Sequence, residues 1–186
     1  YDGGFTKFMS QGWSDYTDSR LKSPLLNLKG SQHPMVSFFM FHWDETGSSA
    51  AYDNYATRLR VEISVDGGEF RQIGEDYTAF SKRYGWVEHR ISLEEFKDAG
   101  CVQIAFRGMT DNDWMYFYID NIHFEEQPAT DLCVADFSGS RTGSVGDALS
   151  YYLTFFNRGT KPAGGYQVSL FVNDCEAAAF ETPHLE

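Results

Sequence analysis

Retaining glycoside hydrolysis needs two carboxylates about 5–5.5 Å apart, and one stretch of this 186-residue chain comes near that pattern. In Glu62-Ile63-Ser64-Val65-Asp66-Gly67-Gly68-Glu69, Glu62 and Asp66 share a parity. Asp-Gly is a hairpin signal, however, because both residues accept positive φ. A turn therefore separates Glu69 from the pair, and an exposed strand face accounts for the acids better. The sequence contains no Gly-x-Ser-x-Gly elbow, no His-Glu-x-x-His helix and no phosphate-cradling glycine loop. The five histidines, His33, His42, His89, His123 and His184, lack the spacing of metal ligands, and His89 and His123 fall on strand faces. The three cysteines form no Cys-x-x-Cys pair. Cys101 lies in the apolar run Cys101–Phe106 and reads as a small buried hydrophobe. Cys133 and Cys175 could pair, but spacing does not show that their Cβ atoms meet. The residues read as those of a non-enzyme.

Binding is the stronger class. Aromatic residues make up 17% of the chain, and several fall in or beside predicted loops, where sandwich folds gather recognition. Trp114, Tyr116, Tyr52 and Tyr55 are the candidate ligand contacts. Trp43 and Trp86 are assigned to the core. The formal net charge is −12. A polyanion is repelled by phosphate backbones and anionic lipid, so neither nucleic acid nor membrane is an expected partner. No apolar run reaches the length of a membrane span. The chain opens at Tyr1 without Met, as after removal of upstream residues.

The elements that position these residues are strands. Leu59, Val61, Ile63 and Val65 alternate with Arg58, Arg60, Glu62 and Ser64, a period of two with one buried and one wet face. Pro34 to Trp43 is apolar on both parities, as in a central strand covered on both faces. Val102 to Phe106 and Tyr116 to Phe124 give further strands. Phe117 and Ile119 share one parity, Ile122 and Phe124 the other. Either a bulge at Asp120-Asn121 turns all four inward, or one pair packs on a second layer. The single helical stretch, Ser92 to Gly100, has Ser92 as N-cap and Glu95 completing a capping box. Glu125 to Thr130 reads as a linker. Beyond it, Leu132–Val134, Leu149–Phe156 and Tyr166–Val172 suggest about three strands, too few for a whole sandwich of about 100 residues. The second unit is therefore expected to be incomplete, with an uncovered core face.

Five motifs in order resemble the cleaved-adhesin modules of gingipain and haemagglutinin proteins, and more distantly the MAM domains. They are Ser23-Pro24-Leu25-Leu26-Asn27-Leu28 before the apolar strand, Leu59 to Val65 with its turn, Gly85 to Leu93, Val102 to Gly108, and Tyr118-Ile119-Asp120-Asn121-Ile122-His123-Phe124. Asp131-Leu132-Cys133-Val134, Gly143 to Asp147 and Phe156-Asn157-Arg158-Gly159-Thr160 resemble the start of a CARDB-type immunoglobulin-like domain. The resemblances imply an all-β chain: a jelly-roll β-sandwich over residues 1–126, then the N-terminal part of an immunoglobulin-like β-sandwich over 131–186. They imply a bacterial secreted or cell-surface adhesion or accessory module that binds host protein or neighbouring domains of its parent protein. The alternative is a carbohydrate-binding module that uses the loop aromatics. The first resemblance also implies structural Ca²⁺, with Asp120 as ligand and Asp18 and Asp15 as N-terminal partners. The sequence lacks the Asp-Gly-Asp-Gly loop common in such modules, which leaves the number of calcium sites open.

Overall fold

A computed structural model describes residues 5–9, 17–44, 57–81, 84–110, 116–140, 142–144, 146–172 and 174–182. The chain is all-β and divides into two compact units, Tyr1–Glu126 and Gln127–Glu186. The first holds β1 (Thr6–Met9), β2 (Thr17–Lys22), β3 (Pro34–Asp44), β4 (Arg58–Val65), β5 (Arg71–Thr78), the two-residue β6 (Phe80–Ser81), β7 (Gly85–Ser92), β8 (Val102–Thr110) and β9 (Tyr116–Glu126). The helical expectation at Ser92–Gly100 shrinks to one 3₁₀ turn, Glu94–Phe96, in which Ser92 Oγ accepts the Glu94 N–H at 3.3 Å.

One sheet of the first unit has the order β1-β9-β3-β7, and the other β2-β8-β4-β5, with antiparallel neighbours throughout; β6 adds a short parallel pairing to the end of β3. The chain changes sheet at each connection except the β4–β5 hairpin and the short β6–β7 step. That order is the jelly roll. The hairpin turns at Asp66 and Gly67, whose φ values of 52° and 74° meet the demand that a tight turn makes on both central residues.

The two inner faces share one core. Val36, Phe38 and Met40 of β3 and Phe117 and Ile119 of β9 meet Leu59, Val61, Ile63, Ile104 and Phe106 of the facing sheet, all 0–1% exposed. Phe38 packs edge-on against Tyr77 and Phe106 at 5.4 and 5.2 Å between centroids. Each such side chain contributes roughly 1.5–3 kcal/mol through burial.

Phe117, Ile119, Ile122 and Phe124 all pack against this core. The register of β9 on β3 slips by one residue between Ser37↔His123 and Phe39↔Asp120. Asn121 is the extra residue, with φ of 48°, a left-handed conformation that Asn tolerates better than most. Of the two readings left open at this strand, the structure has the bulge.

The second unit contains two antiparallel hairpins, β10 (Leu132–Gly139) with β11 (Tyr151–Asn157) and β12 (Gln167–Val172) with β13 (Cys175–Glu181). That is four strands where the pattern suggested about three; β13, Cys-Glu-Ala-Ala-Ala-Phe-Glu, carries little β-propensity of its own. Asn157 organises the turn after β11, accepting the Asp131 and Gly159 N–H groups and donating to the Lys161 carbonyl at 2.6 Å. The apolar side chains of the hairpins, among them Phe137, Leu153, Phe155, Val168, Leu170 and Phe180, line an open cleft of about 740 Å³. Among the described residues of this unit only Ala163 and Thr182 are buried. All three cysteines are free, and Cys133 and Cys175 lie in different hairpins.

Gly108 on the inner face of β8 admits the ring of Phe8 from the opposite sheet, which also stacks on Phe117 at 5.0 Å. A Cβ at Gly108 would collide with the Phe8 ring. Gly108→Ala should therefore displace β1 and cost about 2 kcal/mol in urea unfolding; an unchanged midpoint would mean the ring is not seated there.

Candidate functional site

Alternation along β3 sends Val36, Phe38 and Met40 inward and Ser37, Phe39, Phe41 and Trp43 outward. The antiparallel register then sets Trp86 of β7 beside Phe41, and Glu88 beside Phe39. On the other side of β3, Asp120 faces Phe39, and further along β9 Tyr118 faces Lys7 of β1. The outer face of this sheet thus carries a connected aromatic group. Phe41 is its hub, with ring centroids 5.0 Å from Trp43, 5.5 Å from Tyr84, 5.6 Å from Trp86 and 6.3 Å from Tyr118, all near-perpendicular. Phe5 extends the group with an edge contact to Tyr118 at 4.7 Å. Lys7 Nζ lies 5.8 Å from the Tyr118 centroid.

Edge-to-face contact favours particular ring orientations, and the rim of the group is wet. Phe5 is 55% exposed, Tyr84 66% and Trp86 44%. Trp86, assigned to the core from sequence, stands instead at the surface, because its parity on β7 is opposite to that of the buried Ile91. Trp43 is half-buried and touches the core. The expectation that β3 is covered on both faces holds only at its start: Met35 and Ser37 of the outer parity are buried, whereas Phe39, Phe41 and Trp43 are half-buried. Phe41 and Trp43, of the outer parity, belong to the aromatic group. The signal was present in the double-parity run Met35–Trp43, but it was assigned to burial.

Charged side chains border the rings. Glu88 Oε1 accepts the Arg90 Nε hydrogen at 3.0 Å, both on the outer side of β7. Asp120 Oδ1 accepts the Asn121 N–H at 2.8 Å, a local bond that belongs to the bulge.

The outer face of the other sheet is built differently. Glu62, whose side chain is 4% exposed, accepts from Arg20 at 2.7 Å and from Arg107 at 3.1 Å. Arg107 also donates to Asp18 at 2.8 Å, and Arg60 donates twice to Asp76, at 2.7 and 2.8 Å. The hydrogen bond from Arg107 holds the Asp18 carboxyl below its ordinary range, and Arg60 does the same for Asp76. These charges are paired with one another.

The residues expected to act together are thereby separated. Asp18 sits on the outer face of β2 and Asp120 on the outer face of β9, in different sheets. Calcium needs six to eight oxygens around one point, so a single ion shared by Asp18 and Asp120 does not fit. No group of three or more His, Cys, Asp or Glu side chains converges among the described residues. Tyr116 begins β9 opposite Met9. Asp15, Tyr52, Tyr55 and Trp114 lie outside the described residues.

The fold also joins two histidines whose sequence spacing gave no hint. His42 and His89 meet at the edge of the core with Nε2 atoms 2.8 Å apart, so one ring donates and the other accepts. Tyr77 and Phe38 pack against His89 at 4.5 and 5.3 Å. Burial, and then the neighbouring His42, push the His89 imidazole down to about 4; burial also lowers His42.

No family model matches the chain, and no curated protein is significantly similar to it.

A histidine with a lowered folded pKa makes the unfolded state the better proton binder. The stability it supports is present above the unfolded value of about 6.5 and is lost as pH falls from there toward 4. With partial exposure allowed for, the loss should reach roughly 2 kcal/mol by pH 4. His89→Gln keeps a donor and an acceptor without titrating, and should flatten this dependence in urea unfolding between pH 7 and pH 4.5. A slope identical to that of the unsubstituted chain would assign the pH dependence elsewhere.

Proposed function

We propose that the chain is a non-catalytic extracellular binding module, an adhesion or accessory part of a larger secreted bacterial protein, and that it holds its partner on the aromatic face of the β1-β9-β3-β7 sheet. The observation that carries this reading is the ring group around Phe41, open to solvent at Phe5, Tyr84 and Trp86. Together these three leave roughly 300 Å² of ring surface open, at about 200 Å² per whole aromatic side chain. A connected apolar group of that size is comparable to the largest patch on many monomers, and such patches are often functional. The resemblance to cleaved-adhesin and CARDB-type modules points the same way.

The carboxylates of this face favour binding over hydrolysis. Glu88 and Asp120 lie on the two strands that flank β3, both opposite Phe39. Two strand spacings separate their backbones by about 9.5 Å. A retaining pair holds its carboxyl groups about 5–5.5 Å apart, so both side chains would have to lean across Phe39 to form one.

The test uses the full chain against immobilised extracellular-matrix proteins and a glycan array. The unsubstituted protein should bind members of one panel without releasing reducing ends. Tyr84→Ala/Trp86→Ala should weaken that binding at least tenfold, while Lys22→Ala on the other sheet should leave it intact. Binding that survives the double substitution, binding to neither panel, or release of reducing ends would each overturn the reading.

A further inference from the structure

We infer that the ligand of the aromatic face is a neutral oligosaccharide of pyranose units, an inference that rests on the reading of that face as the binding surface. Three observations select this chemistry.

The first is area. A stable protein–protein interface takes about 800 Å² from each partner, whereas the open rings offer roughly 300 Å². Two or three sugar rings laid along the sheet need no more than that. The second is the pairing of ring faces with planar polar groups. A pyranose has one or two faces of C–H bonds, slightly positive, and a girdle of hydroxyls. The C–H faces suit the negative π-faces of Trp86, Tyr84 and Phe5. The girdle suits groups that give or take two hydrogen bonds at once, such as a carboxylate or a guanidinium. Such groups stand one step along the strands from the rings: Glu88 two residues after Trp86 on β7, with Arg90 bonded to it, and Asp120 two residues after Tyr118 on β9.

The third is charge. Among the described residues, Lys7, Arg90, Glu88, Asp120 and Glu125 stand on this face, charges of both signs. A border of mixed sign favours neither a polyanion nor a polycation. The chain as a whole carries −12, which repels sulfated and uronic-acid glycans before contact. A neutral hydroxylated ligand meets neither obstacle.

The experiment is calorimetric titration of the full chain with neutral hexasaccharides built on glucose, xylose, mannose, galactose and N-acetylglucosamine, alongside heparin and the matrix-protein panel. At least one neutral sugar should bind with a submillimolar Kd that changes little between 50 and 300 mM salt. Trp86→Ala should weaken it at least tenfold, Trp86→Phe less, and Glu88→Gln several-fold. Thermal melts of each variant would show that the fold is kept. If no neutral sugar binds but a matrix protein does, and that binding needs Trp86, the binding face stands and the carbohydrate inference falls. Salt-sensitive binding of heparin in place of neutral sugars would also overturn the inference. If nothing binds at Trp86, both readings fall together.

Discussion

The extra residue in β9 is the constraint on which both faces of the first sheet depend. Strand side chains alternate, so an unbroken β9 with Phe117 and Ile119 inward would turn Ile122 and Phe124 outward. Asn121, held at a φ of 48°, removes that conflict. All four apolar side chains then reach the core. The same slip fixes what points away from it: Tyr118 joins the rings around Phe41, and Asp120 comes to lie across from Phe39. A left-handed non-glycine residue costs of order 1–3 kcal/mol. Burial of Ile122 and Phe124 offsets that cost, since each apolar side chain removed from water contributes a similar amount.

Much of this was legible in the sequence. The alternation of Leu59, Val61 and Ile63 with Arg58, Arg60 and Glu62 pointed to β4 and its inner face, and Asp66-Gly67 to the turn, but Glu62 and Ser64 on the side read as wet are buried. The shift of parity at Asp120-Asn121 showed where a bulge would lie if the apolar residues were all inward. These signals are local, and local signals survive in a sequence. What failed was non-local. Trp86 was assigned to the core because a large apolar residue on a strand is buried more often than not; only the register of β7 on β3 shows that it shares a face with Phe41. The contact of His42 with His89 spans 47 positions and depends on the same register. Asp18 and Asp120 were grouped through a resemblance, and the sheet order puts them on different faces.

The apolar run of β3 shows why composition alone misleads. Apolar residues on both parities usually mean burial on both faces. An alternative arises when one parity is aromatic rather than aliphatic. Val36 and Met40 on the inner side are unremarkable core residues, joined there by Phe38. The outer parity, Phe39, Phe41 and Trp43, is wholly aromatic beyond Ser37. Aromatic side chains tolerate half-exposure because their faces bond to one another and to polar atoms, so a purely aromatic parity is a weaker argument for a covering layer than a run of Ile, Leu and Val.

The two outer faces of the sandwich solve opposite problems. On β2-β8-β4-β5, Glu62 is nearly buried beneath Arg20 and Arg107, and Asp18 and Asp76 each take a guanidinium. Breaking such a network leaves a desolvated charge, so a ligand that needed those groups would have to replace bonds already made. On β1-β9-β3-β7 the apolar rings make few demands on one another beyond orientation. Water over Phe5, Tyr84 and Trp86 is released at no loss of hydrogen bonds within the protein, and that release favours association. One face holds its charges in bonds already made; the other leaves Phe5, Tyr84 and Trp86 open to water.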